Sequence, residues 1–428
     1  MSPSLDLDTF MRLKSYLSNA LSQELQNNPP GGNPAQAGRQ ALEAICARAK
    51  INLEAALREQ LFQQILADQL GYGAIQPLLE DQTISEIMVN GTNPIYIERY
   101  GQLIETEARF ESDQQVLRVI DRILHPLGRR ADSDHPMADA RLPDGSRVNV
   151  IIPPAAVDGP CITIRKFLLN RMTMEDLVRA GALTENMAEF LQACVVARLN
   201  ILISGPTSSG KTTFLNVLTG YIPGNQRIVT IEDAVELQLK QKHVVRLETR
   251  NANMDGSGEV STRDLVRNAL RMRPDRILVG EVRAGETMDM IQAMNTGHHG
   301  SITTVHANSP RDAIARLETM AMMAGLEMPL LAIRRQIASA INLVIHTTRL
   351  TDGARRVTQI TEISGMEVDV VTMSDIFRFD QTGIGPDGKI LGNLRPTGLR
   401  PMFTPRLEAV GYKLRPEIFG AGITRTGI

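Results

Sequence analysis

The chain has few aromatic side chains and almost no net charge. It contains no tryptophan, and aromatic residues make up only 4% of its 428 residues. Because single-stranded nucleic acids are commonly held by bases stacked on aromatic rings, platforms for such stacking are scarce here. The 46 lysine and arginine residues nearly balance the 48 aspartate and glutamate residues, for a formal net charge of −2. This balance argues against a whole-surface nucleic-acid binder, although it leaves room for a local basic groove.

Cysteines and long apolar runs are also scarce. The three cysteines, Cys46, Cys161 and Cys194, are far apart and fit neither a disulfide framework nor a four-ligand zinc site. No uninterrupted apolar stretch approaches the ~20 residues that a membrane-spanning helix needs. The amino terminus carries acids where a signal peptide has a basic region, so we expect a cytoplasmic protein. The length predicts two or three domains.

The most informative segment is a glycine-containing loop at residues 205–213. Its glycines allow successive backbone N–H groups to converge on phosphate oxygens, its lysine lies between the β- and γ-phosphates, and the next hydroxyl is a ligand for Mg²⁺. The largely apolar run 200–204 predicts a buried strand, and residues 214–218 predict a helix whose amino end faces the phosphates. The pattern predicts that a nucleoside triphosphate binds to Gly205, Pro206, Thr207, Ser208, Ser209, Gly210, Lys211, Thr212 and Thr213.

Periodicity and composition divide the chain into three parts. Residues 27–38 are rich in proline, glycine and asparagine, so we expect residues 1–38 to form a flexible segment and linker. Within this segment, the loosely helical spacing of apolar residues over 5–25 is consistent with either a short mobile helix that docks elsewhere or disorder. Residues 39–168 predict a small α+β domain that opens with one long helix over 40–70. Residues 169–428 alternate helix and strand, which predicts a parallel α/β domain. Its last ~45 residues lose their periodicity, which indicates a peripheral tail.

Three further segments carry chemistry at the ends of predicted strands. The strand 228–231 ends at Glu232, the strand 276–280 ends at Glu281, and a third strand lies between His298 and His306. Because the carboxyl ends of neighbouring parallel strands share one crevice, Lys211, Glu232, Glu281 and His306 are predicted to converge on one site.

The four motifs in this order resemble the ATPases of type II and type IV secretion systems and of type IV pili. These have a Walker A loop, an acidic "Asp box", an atypical Walker B motif and a "His box", and the resemblance covers roughly residues 70–375. Residues 71–79 and 87–91 look like the N-terminal domain of the CpaF-type ATPases of Tad/Flp pili. The lack of any CxxC pair fits that branch and the related conjugation ATPases.

The resemblance implies a RecA-like ATPase core that uses ATP and Mg²⁺. Lys211 and Thr212 would bind phosphate and metal, and Glu281 would orient or deprotonate the attacking water. Gly280 stands where ordinary P-loop enzymes have a metal-holding aspartate, so this contact would shift to Glu232. Which of the two glutamates is the base stays open, with Glu281 favoured. His306 would contact the γ-phosphate, with His298 in support.

The resemblance also implies arginines and partners. Arg141, Arg147 and Arg165, from the N-terminal domain, would neutralise the γ-phosphate. The protein would form a homo-hexamer at the cytoplasmic face of the inner membrane, associated with the membrane through platform proteins.

Three alternatives remain open. The first is a type IV secretion or conjugation ATPase, with the same chemistry in another machine. The second is a RecA-like nucleic-acid translocase, which the composition disfavours. The third is a nucleotide-binding regulator without turnover.

Overall fold

The chain divides into two compact units, Met1–Leu169 and Asn170–Ile428. The structure is a computed structural model that describes residues 7–27, 33–167, 172–250, 252, 256–325 and 327–420. The boundary expected between residues 168 and 169 lies one residue from this division. Within the described residues, no helix combines the length and the apolar character that crossing a bilayer requires.

The first unit opens with three packed helices rather than a flexible segment. These are α1 (Leu7–Asn27), α2 (Pro34–Arg48) and α3 (Ala55–Gln69). They share a core in which Leu17 and Leu21 of α1 are fully buried. The prediction that residues 1–38 are flexible is therefore wrong for residues 7–27 and 33–38, because the apolar face of α1 packs against α2 and α3. Residues 28–32 lie outside the described residues.

The prediction of a single helix over 40–70 is also wrong, because α2 begins before residue 40 and ends at Arg48, and a separate helix, α3, follows. Asn33 caps this helix with its side-chain oxygen, and Pro34 occupies the first turn, where its missing N–H costs no hydrogen bond. The chain then leaves the helix near Lys50, whose φ is +53°. Apolar residues of α2 and α3 face the same core, so their spacing resembles that of one continuous helix.

The rest of the first unit is a small α+β fold, as predicted. Its elements are α4 (Gln76–Glu80), β1 (Ile84–Asn90), β2 (Tyr96–Arg99), β3 (Gln102–Glu105), α5 (Asp113–Leu124), β4 (Met137–Arg141), β5 (Arg147–Ile151) and β6 (Cys161–Arg165). The strands form a six-stranded sheet in the order β3-β2-β1-β6-β5-β4, with antiparallel neighbours. One face of the sheet contributes Ile87, Val148 and Ile164 to a core shared with α5.

The second unit is a nine-stranded α/β sheet. Its elements are α6 (Met174–Arg179), α7 (Glu185–Val196), β7 (Ile201–Gly205), α8 (Lys211–Thr219), β8 (Ile228–Glu232), β9 (Val244–Glu248), α9 (Thr262–Ala269), β10 (Arg276–Val279), α10 (Glu286–Asn295), β11 (Ile302–His306), α11 (Pro310–Met322), α12 (Leu330–Ala340), β12 (Leu343–Arg349), β13 (Arg355–Glu367), β14 (Val370–Ile384), β15 (Ile390–Pro396) and α13 (Thr404–Ala409). The strand order is β15-β14-β13-β12-β7-β11-β10-β8-β9. Neighbours from β12 to β9 are parallel, whereas β12 to β15 are antiparallel.

The carboxyl-terminal segment, up to residue 420, belongs to the core of this unit. Phe403 and Phe419 are buried and pack against Phe190 of α7: Phe403 is stacked on it with ring centroids 6.2 Å apart, and Phe419 meets it edge to face at 5.8 Å. The prediction of a peripheral tail is therefore wrong for these residues. A few buried aromatic side chains hold the segment against the core, and their spacing in the sequence shows no helix or strand period. Residues 421–428 lie outside the described part.

Candidate functional site

The phosphate loop follows β7 and leads directly into α8. Residues 206–210 form the turn, whereas Lys211, Thr212 and Thr213 lie in the first turn of the helix. Gly210, with φ +94°, adopts the left-handed conformation that glycine tolerates best. Gly205 is required for a different reason, since a side chain there would overlap the carbonyl oxygen of Thr347. The loop and helix thus have the geometry that the sequence predicted for phosphate binding.

Residues of β12 and β13 form hydrogen bonds with the phosphate loop and with the end of β7. The Thr347 hydroxyl lies 2.9 Å from Ser209 Oγ and donates to the Ser204 carbonyl at 3.3 Å. Arg355 Nε donates to the Ser208 carbonyl at 2.9 Å. Sequence reasoning missed these residues, because nothing local indicates that β12 lies next to β7 in the sheet.

A buried histidine supports the strand before the loop. His346 Nδ1 lies 2.8 Å from Ser204 Oγ, and its side chain is buried. Burial, together with the positive charge of Lys211, lowers the pKa of His346 to about 4. The imidazole is therefore neutral at physiological pH.

A continuous polar chain crosses the ends of three neighbouring strands, β7, β11 and β10. Lys211 Nζ donates to the carbonyls of Gly205 and Pro206, both at 3.0 Å, and lies 3.4 Å from His306 Nδ1. His306 Nε2 lies 2.9 Å from Glu281 Oε1. Burial lowers the pKa of His306, and the neighbouring Glu281 carboxylate acts in the opposite direction. The structure thus brings Lys211, His306 and Glu281 together as predicted.

Glu232 lies at the end of β8 and is 4% exposed. Its Oε2 accepts hydrogen bonds from the backbone N–H groups of Glu236 and Leu237 at 2.7 and 2.9 Å. Its Oε1 is buried and makes no hydrogen bond within the described residues. Burial raises the pKa of Glu232, against the lowering effect of the two N–H donors.

Gly280 explains how Glu232 fits beside the Walker B strand. A methyl group at position 280 would lie 3.2 Å from Glu232 Cγ, which is tighter than ordinary van der Waals contact. The Glu232 side chain therefore crowds the space that a side chain at position 280, just after β10, would need. This is a structural reason for the missing aspartate that the sequence revealed.

The structure does not bring His298 to this site. In the pairing of β11 with β7, His306 lies opposite Gly205, at the loop end of the strands. His298 precedes the other end of β11, where its neighbour Gly300 donates to Asn200 at the start of β7. The assignment of His298 to ATP binding is therefore wrong within this chain. His298 and His306 are close in sequence, but the strand β11 lies between them and separates the two side chains by its length.

The three arginines of the first unit lie together. Arg141 is opposite Arg147 in the pairing of β4 with β5, and Arg147 is opposite Arg165 in the pairing of β5 with β6. They lie on the face opposite the buried Val148 and Ile164. Directly opposed like charges repel one another, so the row concentrates positive charge on this face of the sheet.

Together, the strand, loop and helix of residues 201–219 and the acids at neighbouring strand ends define a RecA-like P-loop domain with an atypical Walker B motif. The family model of the type II/IV secretion system proteins matches residues 68–376, and the chain belongs to this family.

Individual relatives agree with this membership. A putative conjugal transfer protein of Mycobacterium tuberculosis is 36% identical over 311 residues, covering 71% of this chain and 88% of that protein. The type IV secretion system protein PtlH of Bordetella pertussis is 36% identical over 313 residues, covering 66% of this chain and 91% of that protein. The pilus retraction motor PilT, solved with bound ADP, shares the fold, with a TM-score of 0.51 and 23% identity over 66% of this chain and 80% of that chain.

Proposed function

We propose that the protein is a Mg²⁺-dependent ATP hydrolase that powers a secretion or pilus machine. The observation that carries the proposal is the chain of contacts from Lys211 through His306 to Glu281, at the mouth of the phosphate loop. Phosphoryl transfer to water needs the phosphate charge neutralised and the water oriented, and this chain offers a cation and a carboxylate for the two tasks.

Glu281 is the better candidate for the base. Its carboxylate lies just after β10 beside His306, in contact with the chain that leads to Lys211. The Glu281 side chain keeps 16% of its surface exposed, so a water molecule can reach it, whereas Glu232 is buried. Glu281 would therefore orient or deprotonate the attacking water, and His306 would contact the γ-phosphate.

The donor atoms present fit a magnesium ion. Thr212 supplies a hydroxyl in the first turn of α8, and the buried Oε1 of Glu232 has no hydrogen-bond partner among the described residues. Both are hard oxygen donors, and Mg²⁺ usually binds through few protein oxygens, retained waters and substrate phosphates. When bound, the ion would neutralise charge on the β- and γ-phosphates.

The arginine row of the first unit would add the remaining positive charge. Arg141, Arg147 and Arg165 are aligned across three strands, so their guanidinium groups can act on one anionic group together. We propose that they neutralise the γ-phosphate within a homo-hexamer, where domain closure would then respond to nucleotide state.

The machine we propose is a Tad/Flp-type pilus, with the ATPase at the cytoplasmic face of the inner membrane and membrane-embedded platform proteins as its partners. Residues 71–79 and 87–91 support this branch, since they resemble CpaF-type ATPases. The second candidate is a conjugation or type IV secretion ATPase, which the 36% identical relatives favour. Deletion in the host separates the two: loss of surface pili supports the first, and loss of transfer or effector export with intact pili supports the second.

Hydrolysis itself is tested by phosphate release from the full chain. Glu281→Gln should lower turnover by at least about 100-fold while ATP binding is kept, because only the water-activating carboxylate is lost. Lys211→Ala should weaken binding as well. Glu408→Gln, a change in an exposed carboxylate of α13, is the matched control and should leave turnover unchanged. Absence of turnover in the wild-type protein, or normal turnover in Glu281→Gln, would refute the proposal.

A further inference from the structure

One arginine beside the site links two strand ends. Arg283 Nη2 lies 2.9 Å from Glu281 Oε2, and Arg283 Nη1 lies 3.1 Å from Asp233 Oδ2. Asp233 directly follows β8, and Glu281 follows the neighbouring strand β10. The guanidinium group therefore spans the gap between the two strands with its two terminal nitrogens. Since His306 holds the other oxygen of Glu281, both carboxylate oxygens have a fixed neighbour.

The backbone that carries Arg283 is itself held in place. The Arg283 and Ala284 N–H groups both donate to Oε1 of the buried Glu286, at 2.6 and 2.9 Å. The Val282 N–H donates to the Thr304 carbonyl of β11 at 3.0 Å. These bonds leave the loop after β10 little freedom, so the direction in which the arginine side chain leaves the backbone is set by the fold.

The far end of the bridge is also tied to the protein. The Thr262 hydroxyl of α9 donates to Asp233 Oδ1 at 3.4 Å. Asp233 is therefore joined through its two carboxylate oxygens to Arg283 and to the start of α9. That helix begins at a capping box formed by Ser261 and Asp264, which holds its first turn in shape.

We propose that Arg283 is a positioning residue that orients the Glu281 carboxylate, with Asp233 as its second support. The proposal rests on the proposed function, in which Glu281 acts on the attacking water. The guanidinium group contacts one carboxylate with each terminal nitrogen, and because these nitrogens have a rigid planar geometry, it holds Glu281 at a fixed distance from Asp233. A catalytic group misplaced by about 1 Å can cost up to about 100-fold in rate, so a residue that fixes the position of this carboxylate affects turnover.

The ion pairs of Arg283 should contribute little to the stability of the fold, so the effect of losing them on turnover can be measured in a folded protein. The Arg283 side chain is 62% exposed and that of Asp233 is 39% exposed. Exposed ion pairs of this kind add little to stability. Loss of Arg283 should therefore act on turnover without unfolding the protein.

The experiment measures kcat and KM for ATP in the full chain carrying Arg283→Ala, Arg283→Gln, Asp233→Asn or Arg283→Ala with Asp233→Asn. We expect both Arg283 variants to lower kcat by about tenfold to 100-fold, with KM within about threefold of wild type. Asp233→Asn should lower kcat by about threefold, and the double variant should match Arg283→Ala because the two residues act on one carboxylate. Arg400→Ala, which removes an arginine of similar exposure that pairs with Glu408, should leave kcat unchanged.

Three results would overturn the inference. These are a kcat within twofold of wild type in both Arg283 variants, fully additive effects of Arg283→Ala and Asp233→Asn, or a rise in KM with unchanged kcat, which would indicate direct nucleotide binding by Arg283. Glu281→Gln, measured alongside, separates this failure from failure of the proposed function. If that variant loses turnover while the Arg283 variants keep it, only the positioning role is wrong.

Discussion

Acid should destabilise the second unit through one buried imidazole. His346 is 4% exposed and bonded to Ser204 Oγ, and burial lowers its pKa from an ordinary 6.5 to about 4. In the unfolded chain, the same group binds a proton more readily than in the folded chain. The stabilising contribution is therefore complete above pH 6.5 and is lost as the pH falls towards 4.

The size of this effect follows from the difference between the two pKa values. A difference from 6.5 to about 4 corresponds to at most about 3 kcal/mol of unfolding free energy, of which about 2 kcal/mol is already lost at pH 5. A loss of this order is a large part of the stability of an ordinary domain.

The assay is urea unfolding of the full chain at pH 7.5 and pH 5, compared between wild type and His346→Gln. Glutamine keeps a polar group beside Ser204 but does not titrate, so the other acids and histidines contribute almost equally to both proteins. We expect the wild type to lose about 2 kcal/mol more than the variant between the two pH values. Equal losses in the two proteins, or a His346 resonance that titrates near pH 6.5 in histidine-labelled protein, would refute the reasoning.

Three further substitutions test separate parts of the structure. Gly280→Ala should lower kcat while leaving the protein folded, because the added methyl group presses on Glu232; unchanged phosphate release would contradict the packing argument. Arg147→Ala should keep ATP affinity within about tenfold but depress hydrolysis, as loss of a transition-state contact does, and equal loss of both would count against that role. Phe419→Ala should destabilise the protein by about 3 kcal/mol through loss of packing against Phe190, measured by denaturant unfolding; an unchanged midpoint would contradict the place of this segment in the core.

The phosphate loop and the strand ends could be predicted because their signals are local. The loop needs glycines at fixed spacing, which a short sequence pattern shows. Lys211, Glu281 and His306 each follow or end a parallel strand, and the carboxyl ends of parallel strands lie at one edge of the sheet regardless of the loops that connect them. The structure also contains a capping box at Ser261 and a hairpin turn around Gly353, both of which short local patterns encode.

The rest could not be predicted because it depends on pairing between distant segments. Thr347 contacts the phosphate loop only because β12 lies beside β7, and no short pattern encodes that neighbour. The carboxyl-terminal helix and turn are held by Phe403 and Phe419, whose spacing carries no helix or strand period. The error for His298 is of the opposite kind. This residue is close in sequence to His306 but distant in space, because it precedes the start of β11 and His306 lies at the end of that strand.

The shared volume of Gly280 and Glu232 also limits how this site can change by mutation. A Gly280→Asp substitution, which would create the common Walker B pattern, places its Cβ 3.2 Å from Glu232 Cγ, so the glutamate side chain has to shift. Shortening Glu232 first would instead free the backbone N–H groups of Glu236 and Leu237 from their acceptor. Each change therefore disturbs the other position, the first by crowding the Glu232 side chain and the second by leaving two backbone N–H groups without their acceptor. The two positions should therefore be inherited as a pair.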